Sequence, residues 1–184
     1  MSDYYIFTDF ETTGFYVNEH DVPIEVGMII TDDQYNVLDT FSCYINSFDD
    51  NKKEWEGEEI EAFKVHGIGL NTIKQEGIKP NIVVAKINQF LNKQEAIGGR
   101  QTRFIIMSDN GVMEYNAMQK LYKLAEMPHL FPFHYDAWDI NILINSVQKV
   151  MKGKAPHRAL QDAFRMYKAV IRALERNGFR KWEK

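Results

Sequence analysis

Two carboxylates close the first apolar run of the chain, Y-Y-I-F-T-D-F-E-T-T-G from Tyr4 to Gly14, at Asp9 and Glu11. Side chains of a strand alternate between faces, so these two acids point the same way. Like charges that close repel each other unless a cation sits between them. Carboxylate oxygens on one strand face suit a hard divalent cation such as Mg²⁺. The turn that follows offers backbone N–H groups at Thr12 and Thr13 and a close approach at Gly14, while Phe15 and Tyr16 offer rings on which a base could stack. The plainer alternative is an edge strand that simply ends in solvent.

Two later stretches carry the same kind of chemistry. S-D-N-G-V-M-E-Y-N-A-M, from Ser108 to Met118, reads as a buried strand handing over to a helix, with Asp109 and Glu114 at the strand end where open α/β sheets place ligands. An N-cap accounts for Asp109 or Asn110 without any ligand, and accounts less well for Glu114. A-P-H-R-A-L-Q-D-A, from Ala155 to Ala163, starts a helix at Pro156. His157 and Asp162 are five residues apart, roughly 140° around a regular helix. They meet at one site only if His157 leans in from the helix start. The positive end of a helix dipole disfavours a second positive charge, which suits a histidine that accepts protons.

These groups need elements to hold them. Tyr4–Phe10, Ile24–Thr31 and Val37–Ile45 read as strands, the last two joined as a hairpin by D-D-Q-Y-N. Asp49 to Glu61 is acidic and reads as a loop leading to a short helix around Glu58–Val65, stopped by His66-Gly67. Pro80 opens a helix with Ile82, Val83, Ile87, Phe90 and Leu91 along its apolar stripe. Arg103–Met107 is a buried strand, Val112–Ala125 a helix, and Phe133–Trp138 a short strand. Helices over Ile140–Val150 and Pro156–Asn177 complete the chain. A three-strand meander followed by alternating helix and strand predicts one mixed α/β sheet flanked by helices.

The 184 residues are most economically one domain. No apolar run reaches the length of a membrane span, and M-S-D-Y lacks a signal peptide's basic start. The single cysteine, Cys43, excludes an internal disulfide and a cysteine-based metal site, and is expected to be buried packing. An intracellular, cytoplasmic location follows by default. The net charge of −4 is unevenly spread. Lys149–Lys184 holds eleven Lys/Arg against three Asp/Glu, leaving eleven against 23 elsewhere. That basic end reads either as a surface for phosphates or as a solvated helix face.

D-F-E-T-T-G, P-I-E-V-G-M-I-I-T-D, N-G-V-M-E and H-R-A-L-Q-D-A, in this order from about Tyr4 to Phe164, resemble the successive motifs of the DEDDh 3′→5′ exonucleases. That group contains polymerase proofreading subunits, oligoribonuclease and phage exonucleases. The resemblance implies an RNase H-like (exonuclease) fold with a mixed five-stranded sheet, and one exonuclease domain over residues 1–184. It implies two Mg²⁺ or Mn²⁺ ions on Asp9, Glu11, Glu114 and Asp162, with His157 as general base. The family has Asp where this chain has Glu114, and Asp109 is the other candidate for the third carboxylate. Thr12, Thr13, Phe15, His66, Asn110 and Arg158 are the expected substrate contacts, with Arg165 a further phosphate contact. The implied reaction releases nucleoside 5′-monophosphates from single-stranded DNA or RNA 3′ ends. Two alternatives are an oligoribonuclease-like enzyme for short RNA and a nucleic-acid-binding module with weakened catalysis. A homodimer, or a polymerase or replication partner, is left open.

Overall fold

A computed structural model describes residues 2–14, 21–48, 51–98, 102–135, 137–140 and 157–176. Its centre is a five-stranded sheet in the order β3-β2-β1-β4-β5. The strands are β1 (Ser2–Thr12), β2 (Pro23–Thr31), β3 (Val37–Tyr44), β4 (Thr102–Ser108) and β5 (Trp138–Asp139). β1 runs antiparallel to β2 and parallel to β4, so the sheet is mixed, as expected from the sequence. The helices are α1 (Glu58–His66), α2 (Leu70–Glu76), α3 (Pro80–Gly98), α4 (Gly111–Leu124) and α5 (Ala159–Arg176). No helix among the described residues is long and apolar enough to cross a membrane.

The period of two in β1 assigns its two faces to different cores. Tyr4, Ile6 and Phe10 join Val26, Met28 and Ile30 in a cluster with Val83, Val84 and Ile87 of α3 and Met118, Leu121 and Tyr122 of α4. Phe7, one residue out of phase, packs with Ile29, Met107, Ala163, Met166 and Val170 under α5. Asp9 and Glu11 share the phase of Phe7, so their face is the one α5 covers.

Gly27 pairs with Asp9 across β1 and β2. A Cβ there would collide with the backbone of Ala159 and Leu160. The bare glycine therefore lets the first turn of α5 settle directly on the sheet, beside Asp9. Gly67 closes α1 with φ 69°, the left-handed cap expected there.

Several expectations are corrected. Phe133–Trp138 is not a continuous strand: Phe133 makes an isolated bridge to Phe104, and β5 begins only at Trp138. Ile82 is 47% exposed, because Val83 and Val84 take the inward positions at the start of α3. Cys43 packs against the core as expected but is half-buried rather than buried, and burial pushes its thiol up to about 12. α2 was not foreseen: it is seven residues between Gly69 and Gly77, with only Leu70 and Ile73 buried. The helix expected over 140–150 lies outside the described residues beyond Ile140, as do Pro156 and Asn177 of the expected last helix.

Candidate active site

Three chain-distant elements converge at the end of β1. The side chains of Glu11, His157 and Asp162 each offer a ligand atom, and these atoms lie within 4.8 Å of one another. The five-residue spacing is resolved as the helical geometry required. His157 stands outside α5, two residues before its first, with φ 48°. This left-handed conformation costs a non-glycine residue about 1–2 kcal/mol, and such strain clusters at functional positions. It turns His157 inward to meet Asp162.

Asp162 is held from two sides. Its Oδ2 accepts the Arg158 N–H at 3.3 Å, and its Oδ1 takes Arg165 Nη1 at 3.0 Å. Asp9 is half-buried, and its pKa is raised well above the usual carboxylate range. Burial is the first cause, followed by the charges of Glu114, Glu11, Asp162 and Asp109. Burial also pushes Glu11 up to about 8, with Glu25 and Asp162 adding and Arg158 opposing. Neighbouring like charges thus disfavour the ionisation of Asp9 and Glu11.

Glu114 reaches the cluster from the first turn of α4. It is 3% exposed, and its pKa is raised well above normal by burial and then by Asp109 and Glu11, while the Phe10 N–H hydrogen bond opposes. Its Oε2 is buried with no hydrogen-bond partner. An orphaned buried carboxylate oxygen among like charges is costly, and a divalent cation would satisfy it. Asp109 sits close by. Burial and Asp162 raise its pKa first, and its N–H meets Met166 Sδ at 3.2 Å. The donor set is oxygen-rich with one imidazole, which fits Mg²⁺ or Mn²⁺. Asp9, Glu11, Glu114 and Asp162 could hold such ions.

The expected substrate contacts are sorted differently. His66 is buried at the end of α1, and its Nδ1 accepts the Ile68 N–H at 2.9 Å, which leaves the ring proton on Nε2. Burial first, then the Arg158 and His157 charges, hold its pKa down to about 4, so it is neutral and adjoins the site. Thr13 is not a free backbone donor: its N–H bonds the Val22 carbonyl at 3.0 Å, and its hydroxyl accepts the Val22 N–H. The Thr12 hydroxyl donates to the Gly14 carbonyl at 2.5 Å. Asn110 is the N-cap of α4, its side chain accepting the Met113 N–H at 3.4 Å. Arg158 faces inward, with Nη1 4.0 Å from Glu25 and its guanidinium 5.8 Å from the Tyr44 ring centre. Phe15 lies outside the described residues.

Glu25 was missed. It is 8% exposed and accepts the Ala159 N–H at 3.2 Å. Burial raises its pKa, against the pull of that N–H and of Arg158. The available signal was one acid inside P-I-E-V-G-M-I-I-T, a strand buried along its whole length.

The family described as RNase T, exonuclease, matches residues 6–170. Sequence comparison with curated proteins finds no match. Among solved structures, the zinc-bound complex of E. coli ExoI with single-stranded DNA is similar at TM-score 0.72 and 16% identity, over 98% of this chain and 42% of that one. The nuclease domain of 3′hExo, a DEDDh family member bound to rAMP, is similar at TM-score 0.72 and 15% identity, over 100% of this chain and 97% of that one. A full-length 3′-exonuclease reaches TM-score 0.64 at 15% identity, over 96% and 62%. The chain therefore spans about two fifths of ExoI and nearly all of the 3′hExo nuclease domain. At these identities the likeness is one of fold, and it is the RNase H-like exonuclease fold expected from the sequence.

Proposed function

Because this chain belongs to the RNase T exonuclease family, we propose that it removes nucleoside 5′-monophosphates from the 3′ ends of single-stranded nucleic acid, residues 1–184 acting as one exonuclease domain. Family membership implies dependence on a divalent metal, and the proposal is that two Mg²⁺ or Mn²⁺ ions bind to Asp9, Glu11, Glu114 and Asp162. The single observation that carries the reading is the meeting of Glu11, His157 and Asp162 within 4.8 Å, in a cleft where Asp9 and Glu114 are also crowded.

When bound, the cation pair would lower the pKa of a water and stabilise both the attacking and the leaving oxygen of an in-line displacement. The chain's own groups supply the rest. His157 takes a proton from the attacking water, an assistance worth roughly 10²–10⁴-fold. Asp162, fixed by Arg158 and Arg165, holds its carboxylate beside that imidazole. His66 presents Nε2–H at the edge of the site, where it orients the terminal nucleotide. Arg158 is about a third exposed, and that open side is available to a phosphate while Nη1 stays turned to Glu25.

Two of the structural neighbours were captured with single-stranded DNA or with rAMP, so both sugars are candidates for the substrate of this chain. Matched DNA and RNA oligomers of varied length, incubated with Mn²⁺ and analysed by mass for released 5′-monophosphates, test the reading and its substrate together. Equal cleavage of both supports a general 3′ exonuclease, and cleavage confined to the shortest RNA oligomers supports the oligoribonuclease-like reading. Binding of oligomer without release of any nucleotide would refute both.

A further inference from the structure

Every residue of β2, Pro23–Thr31, is buried, and one of them is an acid. Glu25 pairs with Glu11 in the β1–β2 register and with Tyr44 in the β2–β3 register. Desolvating a carboxylate at the centre of a sheet is unfavourable unless it is bonded. Its partners are both at the start of α5. Glu25 Oε2 accepts the Ala159 N–H at 3.2 Å and lies 4.0 Å from Arg158 Nη1. Ala159 opens the helix, so its N–H has no partner within the helix, and the carboxylate also meets the positive end of the helix dipole. The Arg158 guanidinium lies at the same time over the Tyr44 ring, 5.8 Å from its centre. One residue further back stands His157 with φ 48°.

We infer that Glu25 is a positioning residue for the reaction centre. Its contacts to Arg158 and Ala159 pin the two residues after His157 to the sheet. Pinned there, His157 keeps its left-handed backbone, and its imidazole and Asp162 stay within reach of Glu11. Gly27, two residues along the same strand, receives the backbone of Ala159 and Leu160. The start of α5 is thus seated on β2 at one point and tied to it at another. Such a tie is needed because the left-handed turn is not self-sustaining. Glu25 does not itself supply one of the reacting groups. The inference rests on the reading of Glu11, His157 and Asp162 as that centre.

Glu25→Ala removes both contacts, whereas Glu25→Gln keeps an oxygen for the Ala159 N–H and removes the charge beside Arg158. Two readouts are taken per folded molecule in the full chain: Mn²⁺ affinity by electron paramagnetic resonance, and kcat on a labelled oligonucleotide. Groups that orient metal ligands from behind are worth about 10–100-fold in affinity or activity, so Glu25→Ala is expected to lose that much in both. Glu25→Gln is expected to fall between Glu25→Ala and the wild type. A lower Tm for Glu25→Ala with wild-type Mn²⁺ affinity and kcat would overturn the inference, since that is what a merely structural acid would show. If Glu25→Ala does not fold, Glu25→Gln decides alone, and wild-type values in both readouts overturn it. A wild type that binds Mn²⁺ but cleaves nothing would end the functional reading, while the Mn²⁺ comparison would still decide the role of Glu25.

Discussion

Removing divalent ions should make the protein less stable as the solution is made more alkaline, in a window set by two groups at the site. Glu11 has an ordinary pKa of 4.5 and a folded-state value of about 8. Between those values the native protein binds more protons at Glu11 than the unfolded chain does. The stability this group contributes is full below 4.5 and is lost as pH rises through about 8. His66 works in the opposite sense. Its pKa is lowered from 6.5 to about 4, so its contribution is present above 6.5 and lost as pH falls through about 4. Below pH 6.5 the two effects oppose, and from 6.5 to 8 Glu11 acts alone of this pair. That span, at about 1.36 kcal/mol per pH unit, amounts to roughly 2 kcal/mol. Asp9 and Glu114 shift the same way. At roughly 2–4 °C per kcal/mol for a chain of this size, Tm in EDTA should fall by about 4–8 °C between pH 6.5 and 8. Saturating Mn²⁺ should raise Tm and abolish the fall, because the cation needs the ionised carboxylates. Scanning calorimetry at four pH values, with and without Mn²⁺, reads both effects. A Tm in EDTA that is flat or rising from pH 6.5 to 8 would refute the crowding of carboxylates on which the site is built.

Further outcomes follow from individual residues. His157→Ala should lower kcat by about 10²–10⁴-fold while leaving Mn²⁺ affinity within a small factor, and a matching loss of affinity would make His157 a ligand rather than a base. Glu114→Ala should weaken Mn²⁺ binding by at least about tenfold, since its Oε2 is buried without a partner. Asp109→Ala should be milder, and the reverse ranking in a metal titration would make Asp109 the third carboxylate. Gly27→Ala should cost about 1–3 kcal/mol by overpacking, with a loss of kcat on the order of 10²-fold from displacement of α5. A Gly27→Ala protein with wild-type Tm and turnover would show that α5 does not depend on that contact.

Much of this is legible in the sequence. The alternation of Tyr4–Phe10 was enough to place Asp9 and Glu11 on one face. The spacing of His157 and Asp162 required the histidine to lean in from the helix start if the two were to meet; the helix begins only at Ala159, and φ 48° at His157 is how the chain achieves it. What was not legible depended on partners distant in sequence. Thr13 looked like a free donor, but Val22, across the turn, takes its N–H. Asn110 is the exception, a local contact: the N-cap reading weighed beside its role as a substrate contact is the one α4 shows. The aromatic run Phe133–Trp138 suggested a strand, whereas its described residues touch β4 at separate points, Phe133 and His134 at Phe104 and Trp138 at Met107. Glu25 was passed over because a single acid in an apolar strand has no spacing to read, and its meaning appears only when Ala159 and Arg158 arrive beside it.

The central claim is that acids from separate parts of the chain gather cations with which to cut a 3′ end. The most direct measurement incubates a 5′-labelled single-stranded oligonucleotide with wild-type protein and with Asp162→Ala, in Mn²⁺ and in EDTA. The account expects a ladder of products shortened one nucleotide at a time from the 3′ end, only for the wild type and only with Mn²⁺. A ladder of equal intensity from Asp162→Ala or in EDTA, or immediate release of the labelled 5′ nucleotide, would contradict it.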